Sequence, residues 1–319
     1  MKPIVFIDGR EGTTGLQIEE RLTGRTDIDQ IIIPHHLRKD EAARREHLNA
    51  ADLVFLCLPD EAARDSVALI ANPKTRVIDA STAHRTAPGW VYGFPELTGT
   101  RRSEIRTAAR VSNPGCHSTG FLALTVPLVA AQVLAPDTVL SCVSLTGYSG
   151  GGKAMIAQYQ AADRPEALNA PRIYGLSFAH KHIPEILAQS GLTEAPLFTP
   201  VVDDYYAGIA LTIPLHRRQL TGELTSSDLR DILAAHYQGE QFISVPHFAS
   251  EESLAAPGFM EANAHVGTNT LEILVFGDGD RTLLTARFDN LGKGASGAAV
   301  QNMNIMLGLP EASQLTMNN

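Results

Sequence analysis

Through the first 80 residues, short apolar runs of strand length alternate with stretches whose apolar positions recur at helical spacing. Ile4–Ile7 leads into a glycine-containing turn and then Leu16–Leu22, which reads as an amphipathic helix. Ile31–Ile33 is a second strand, 41–50 a second helix and Asp52–Leu58 a third strand. Glu61–Ala71 follows as a helix and Arg76–Asp79 as a strand. This alternation predicts an α/β, doubly wound parallel sheet of the Rossmann type. After about Thr119 the apolar runs lengthen and lose their regular helical spacers: Thr138–Tyr148, Leu197–Asp203, Ala207–Pro214, Thr270–Phe276 and Thr282–Asp289. They predict an α+β domain with a mostly antiparallel sheet and helices on one side. Gly294–Leu307, rich in small residues, reads as a closing helix. The expected division is 1–115, completed by 293–319, and 116–292.

Composition narrows the function classes. A length of 319 residues suits two domains of roughly 150 residues each. With 26 Lys and Arg against 35 Asp and Glu, the net charge is −9 and there is no basic block, so neither nucleic acid nor an anionic membrane is an expected partner. No apolar run approaches the roughly 20 residues of a membrane span. The opening MKPIVFIDGR goes straight into a strand, with no signal-peptide pattern, so a cytoplasmic protein is expected. Three cysteines, Cys57, Cys116 and Cys142, without CxxC or Cys/His spacing, argue against disulfides and against a metal site.

Gly9, Gly12 and Gly15 stand between the first strand and first helix. Glycine there permits a tight turn and close approach of a pyrophosphate to the unpaired N–H groups of a helix start, and Thr13 and Thr14 add hydroxyl donors. An NAD site would place a carboxylate about 20 residues on, to hold the ribose 2′-hydroxyl. Here the second strand runs into Pro34-His35-His36-Leu37-Arg38-Lys39, with no carboxylate before Asp40. Arg38 and Lys39 suit a 2′-phosphate, so NADP(H) is the expected cofactor.

Ser112-Asn113-Pro114-Gly115-Cys116-His117 precedes a long apolar stretch. Asn113 reads as the N-cap and Pro114 as the first helical residue. Cys116 then lies in the first turn, where the dipole favours a thiolate nucleophile. Pro127 is expected to kink or end this helix. Cys57 and Cys142, in apolar strands, read as core. An acid/base partner is sought in His180 and His182, whose imidazoles would share one side of an extended segment before Pro184 opens a helix. His117 adjoins the cysteine, but neighbouring helical side chains diverge. In Gly147-Tyr148-Ser149-Gly150-Gly151-Gly152-Lys153 the glycines expose N–H groups, and Ser149 and Lys153 add donors for a carboxylate, phosphate or oxyanion. Arg85, after the fourth strand, is a candidate anion clamp. Asn290 and Gly294 open the last helical segment, where an amide could hold a carboxamide and small residues admit a flat ring.

FIDGREGTTGLQI, CLPDEAA, DASTAHR, YGFPEL, SNPGCHSTG, GYSGGGKAM, HKHIPEI and NLGKGASGAAVQNMN follow one another in order along nearly the whole chain. With these eight segments the sequence resembles N-acetyl-γ-glutamyl-phosphate reductases of the shorter, second type. That family lies in a superfamily with aspartate-semialdehyde and glyceraldehyde-3-phosphate dehydrogenases. Where the longer type has tyrosine and proline after the cysteine, this chain has His117 and Ser118. The resemblance implies reduction of an acyl phosphate by NADPH through a cysteine thioester, giving N-acetylglutamate 5-semialdehyde and phosphate, the third step of arginine biosynthesis. It implies Cys116 as nucleophile and His180 or His182 as acid/base. Gly9, Gly12, Thr13, Thr14, Gly15, Arg38, Lys39, Pro59, Ser81, Asn290 and Gly294 would hold the cofactor. Arg85, Asn113, Ser149, Gly150, Gly151 and Lys153 would hold the substrate. It also implies a homo-oligomer, dimer or tetramer. The competing readings are an aspartate-semialdehyde dehydrogenase-like reductase, which would need a carboxylate for a free α-ammonium; a cofactor-free cysteine hydrolase, which leaves the glycine turn unexplained; and a non-catalytic NADP-binding redox sensor.

Overall fold

Strand β1 (Ile4–Asp8) is buried from its second residue onward and pairs on both sides, with β2 (Asp29–Ile31) and β3 (Leu53–Leu56). In the computed structural model, which describes residues 1–247, 254 and 256–317, the chain divides into two compact units. The first holds residues 1–114 and 295–315, the second 115–294 and the segment from Thr316. Asn318 and Asn319, at the end of the expected closing segment, lie outside the described residues.

In the first unit, α1 (Thr13–Leu22), α2 (Glu41–Ala50) and α3 (Asp60–Leu69) alternate with the strands; β4 (Arg76–Asp79), β5 (Val91–Tyr92), α4 (Arg101–Thr107) and β6 (Arg110–Ser112) complete it. The six strands form one sheet in the order β2-β1-β3-β4-β6-β5, parallel at every pairing. Strand β3, Leu53–Leu56, is a continuous buried apolar run because both faces of such a sheet are covered, and Val77 and Ile78 at the centre of β4 are buried likewise. The final helix, Gly297–Leu307, packs on α1, α4 and β4. The second strand is shifted towards the N-terminus: β2 is Asp29–Ile31, whereas Ile31–Ile33 was the expected element. Pro34 has no N–H and restricts Ile33, and a 3₁₀ turn follows at His35–Leu37.

The second unit contains α5 (Cys116–Ala130), β7 (Ser141–Gly147), α6 (Gly152–Gln160), β8 (Arg172–Ile173), α7 (Ile183–Ser190), β9 (Leu197–Asp203), β10 (Ile209–His216), α8 (Ser226–His236), β11 (Ile243–Ser244), β12 (Leu271–Gly277) and β13 (Arg281–Phe288). Its seven-stranded sheet runs β11-β12-β13-β10-β7-β9-β8. The β7/β9 and β11/β12 pairs are parallel and the others antiparallel, so the sheet is mixed but mostly antiparallel. One face is covered: α5 packs on β10 and β13 and against α7 and α8, and α8 packs on β12. Alternation along β7 turns Cys142, Ser144 and Thr146 inward.

Helix α5 runs through Pro127 to Ala130, so of the two effects expected of the proline, a kink or an end, it does not end the helix. Proline removes the N–H that would meet the Ala123 carbonyl one turn back. The hydroxyl of Tyr237, just past α8, donates to that carbonyl at 2.8 Å, so the break in the ladder leaves no buried acceptor unmet. Tyr237→Phe is expected to lower stability by about 1–3 kcal/mol, the cost of stranding a buried carbonyl, with an unchanged far-ultraviolet spectrum. The urea midpoint measures it.

Candidate active site

The first unit gathers most of the expected cofactor residues behind three adjacent strands. After β1, Gly9 has φ +86°, and a Cβ there would meet the Cys57 carbonyl oxygen at 2.3 Å. A Cβ on Gly15 would lie 2.5 Å from the Gly9 carbonyl oxygen. Gly12 is the N-cap of α1 with no side-chain cap, and Thr13 and Thr14 form its first turn, whose N–H groups have no helical acceptor. Pro59 caps α3 after β3, and Ser81 follows β4 with its hydroxyl donating to Asp79 at 2.8 Å. This is the carboxyl edge of a parallel sheet, with a concave backbone cradle that any Cβ would fill, and it fits a dinucleotide phosphate. Arg38 and Lys39 are exposed in the turn after β2. Arg38 lies 3.3 Å from the Glu11 carboxylate, and Asp40 caps α2 by accepting from the Ala43 N–H at 2.8 Å.

Arg85 and Asn113 are also in this unit and buried. The Arg85 Nε donates to the Asn113 carbonyl at 3.0 Å. Asn113 does not cap α5: its side-chain amide donates to the Ala295 carbonyl at 2.9 Å, and Gly115 is the N-cap. Extended backbone at Gly115 delays the helix by two residues, which puts Cys116 at its very first position.

In the second unit Cys116 opens into a cavity of about 420 Å³. His180, Lys181 and His182 line one side of it. The segment is a turn rather than a strand, closed by the Ile183 N–H donating to the His180 carbonyl at 3.0 Å, with His182 at the N-cap of α7. The turn still brings the two imidazoles together, with centroids 4.8 Å apart. The carboxylate of Glu185 on α7 lies 3.9 Å from His182 Nε2 and accepts the Gly115 N–H at 3.1 Å. One buried carboxylate thus ties His182 to the residue before the cysteine. Gly294 makes room for the thiol: a Cβ there would come 3.0 Å from that of Cys116.

The glycine loop contributes unevenly. Gly150 and Gly151 line the cavity. Ser149 is buried and accepts from the Asn290 amide at 3.0 Å, while Asn290 Oδ1 accepts the Gly208 N–H at 2.7 Å, so these two hold each other and the loop. Lys153 is exposed on α6 and does not line the cavity. Two lining residues, Arg172 and Tyr174, were not singled out from sequence, and a third, His117, was expected to diverge from the cysteine. Arg172 on β8 donates to the Tyr159 hydroxyl at 2.9 Å and stacks over that ring. Tyr174 follows β8, and its hydroxyl is 2.8 Å from His117 Nε2. His117 lines the same cavity as Cys116, because strands β7 and β8 bring Ser144 and Tyr174 to its two ring nitrogens. Among the described lining residues are two fixed cations, Arg172 and Lys181, and three histidines, but no Asp or Glu.

Burial drives the thiols of Cys57 and Cys142 well above the ordinary cysteine range, and at Cys57 the Asp79 and Asp8 charges add to it. No group of three or more potential metal ligands occurs among the described residues, and no helix among them is long and apolar enough to cross a membrane.

Residues 6–108 match the family described as semialdehyde dehydrogenase, NAD binding domain, and residues 116–290 match its dimerisation domain. N-acetyl-gamma-glutamyl-phosphate reductase 2 of Pseudomonas putida is 48% identical over 314 residues, covering 97% of this chain and 98% of the relative. A reductase 2 from a Nostoc species is 46% identical over 316 residues, again covering 97% and 98%. The chain belongs to the N-acetyl-gamma-glutamyl-phosphate reductase family. Solved structures share the family's fold at low identity. Aspartate semialdehyde dehydrogenase II from Vibrio cholerae matches with TM-score 0.71 and 16% identity, over 97% of this chain and 99% of that one. The Candida albicans aspartate semialdehyde dehydrogenase, solved with NADP, matches with TM-score 0.65 and 12% identity, over 96% and 98%.

Burial, with the charges of His180 and Lys181 adding to it, lowers the His117 pKa to about 3. The unfolded chain takes up this proton near the ordinary value of 6.5 and the folded chain does not, so stability falls as pH drops from 6.5 towards 3. The slope from this one residue is at most about 1.4 kcal/mol per pH unit. His117→Gln should therefore lose less stability than the wild type between pH 7 and pH 5, measured by urea unfolding.

Proposed function

We propose that the protein reduces N-acetyl-γ-glutamyl phosphate to N-acetylglutamate 5-semialdehyde and phosphate, using NADPH and a thioester on Cys116. The observation that carries this reading is a nucleophile at a helix start, in a cavity with two cations, three histidines and no carboxylate among its described lining residues. A substrate with an acetylated amine and two anionic ends suits that charge pattern. A free α-ammonium, as in aspartyl phosphate, would be buried against cations without a partner.

The Cys116 sulfur attacks the acyl carbon. The first-turn N–H groups of α5 and the Gly150–Gly151 backbone are the nearby donors for the developing oxyanion. Phosphate leaves with the C–O bond electrons, and an acyl thioester remains on Cys116. The bound nicotinamide cofactor supplies the hydride that reduces this thioester. An imidazolium of the His180/His182 pair protonates the resulting oxygen, then as imidazole takes the proton back while the thiolate departs and the aldehyde forms. His182, tied through Glu185 to the nucleophile's helix, is the better placed of the two. Residues 1–115 with 293–319 serve as the NADP domain and 116–292 as the catalytic and oligomerisation domain of a cytoplasmic dimer or tetramer. Within the first, Gly9, Gly12, Thr13, Thr14, Gly15, Pro59 and Ser81 cradle the dinucleotide. Arg38 and Lys39 take the 2′-phosphate, Asp40 being engaged as a helix cap and the exposed Glu11 carboxylate beside Arg38 giving way to the phosphate.

The purified protein should reduce NADP in a phosphate-dependent manner with N-acetylglutamate semialdehyde, at least about a hundredfold better in kcat/KM than with aspartate semialdehyde, the ratio expected for one unpaired buried charge. Cys116→Ser should lower kcat by about 10³-fold or more; retained turnover would contradict the assignment. Arg38→Ala should raise KM for NADP about tenfold with little change for NAD, because one charge-assisted contact to phosphate is lost. Equal effects on both cofactors would point to a different 2′-phosphate site.

A further inference from the structure

Next to the nucleophile lies a buried polar chain that the reaction above does not use. His117, one residue after Cys116, is 3% exposed. Its Nδ1 is 2.7 Å from Ser144 Oγ on β7, and its Nε2 is 2.8 Å from the Tyr174 hydroxyl. Tyr174 shares the cavity wall with Cys116, and a charge on the cysteine sulfur acts on its phenol.

The direction of these bonds follows from Ser144. A neutral imidazole has one N–H donor and one acceptor nitrogen. Ser144 is fully buried, and among the described residues its hydroxyl has no polar partner except His117. If the ring donated from Nδ1, the serine proton would be stranded in a dry interior. If Ser144 donates to Nδ1, the ring carries its proton on Nε2 and donates it to the Tyr174 oxygen. Tyr174 then has its own proton left over, and its accessible side is the cavity.

Resting on the reading of Cys116 as the nucleophile, we propose that Tyr174 is an oxyanion donor of the reaction, its O–H turned into the cavity by Ser144 acting through His117. Tyr174 is the catalytic residue of the three, and His117 and Ser144 are positioning residues. When the Cys116 sulfur adds to the acyl carbon, the carbonyl π pair moves onto oxygen and the Tyr174 hydrogen bond strengthens. When the pair returns, the C–O bond to phosphate breaks and phosphate carries those electrons away. No proton passes along the chain. Burial, with the Cys116 charge, raises the Tyr174 phenol well above the ordinary tyrosine range, so it donates a hydrogen bond and keeps its proton. Burial likewise keeps His117 neutral, so the orientation holds across the working pH range.

The test compares Tyr174→Phe, Ser144→Ala, Ser144→Thr and the Tyr174→Phe/Ser144→Ala double variant. Two readouts are used: phosphate-dependent turnover of N-acetylglutamate semialdehyde, and the burst of Cys116 acylation by 4-nitrophenyl acetate. Tyr174→Phe should lower kcat and the burst rate by about 10²–10³-fold, the usual cost of one oxyanion donor, with KM for phosphate nearly unchanged. Ser144→Ala frees the ring to adopt the other tautomer and draw the Tyr174 proton inward, so it should cost at least about tenfold. Ser144→Thr should restore the rate, and Ser144→Ala should add nothing in the Tyr174→Phe background. Losses that multiply in the double variant, or a Tyr174→Phe enzyme close to wild type, overturn the proposal. If the wild type does not turn over N-acetylglutamate semialdehyde, the functional reading fails; the burst then decides separately, and equal burst rates in all variants overturn the relay.

Discussion

A buried helix cannot shift its first turn without dragging its packing along, and α5 is buried from His117 to Leu128. That constraint fixes Cys116. The helix lies on β10 and β13 and is flanked by α7 and α8. Its interruption at Pro127 is met from outside by Tyr237. Its start is fastened by Glu185, whose carboxylate accepts the Gly115 N–H. The sulfur is therefore presented at one place, beside N–H groups that have no helical acceptor and a dipole end that favours an anion.

The surroundings of the thiol have a consistent electrostatic logic. Cations and imidazoles line the cavity, with no Asp or Glu among the described lining residues, while the Glu185 carboxylate on α7 accepts a backbone N–H and lies 3.9 Å from His182. That charge pattern favours an anionic substrate over a cationic amine. Preorganisation replaces reorganisation: Ser144, His117 and Tyr174 hold one another, as do Ser149 and Asn290, before any ligand arrives. Cys142 is buried in β7 as expected of a core residue, whereas Cys57 lies just past the end of β3 and is only partly buried; desolvation opposes ionisation of both thiols.

The fold class was legible because it depends on local periodicity: continuous apolar runs for the parallel sheet and longer, alternating strands beyond Thr119. Cys116 near a helix start was legible from Asn113 and Pro114, residues suited to a cap and a first turn, although the helix begins two residues later than they suggest. What failed depends on partners far away in sequence. Asn113 has the chemistry of a cap, but the Ala295 carbonyl takes its amide. Pro127 looks like a helix stop until Tyr237 supplies the missing donor. Ser149 and Lys153 adjoin exposed glycines, yet a 3₁₀ turn sends one inward and α6 carries the other out to solvent. Tyr174 and Arg172 gave no sequence signal, because their importance arises when β7 and β8 approach the first turn of α5. His117 was visible beside the cysteine, but neighbouring helical side chains are expected to diverge, and only its partners Ser144 and Tyr174 bring it to the same cavity.

The central claim is that acyl transfer to Cys116 precedes reduction, and trapping the acyl-enzyme tests it most directly. The protein is mixed with N-acetyl-γ-glutamyl phosphate without NADPH, quenched in acid and analysed by intact mass and peptide mapping. The account predicts one N-acetylglutamyl group per chain, on Cys116 and removed by hydroxylamine. An enzyme that turns over with NADPH but forms no adduct, or carries it on another residue, would contradict it.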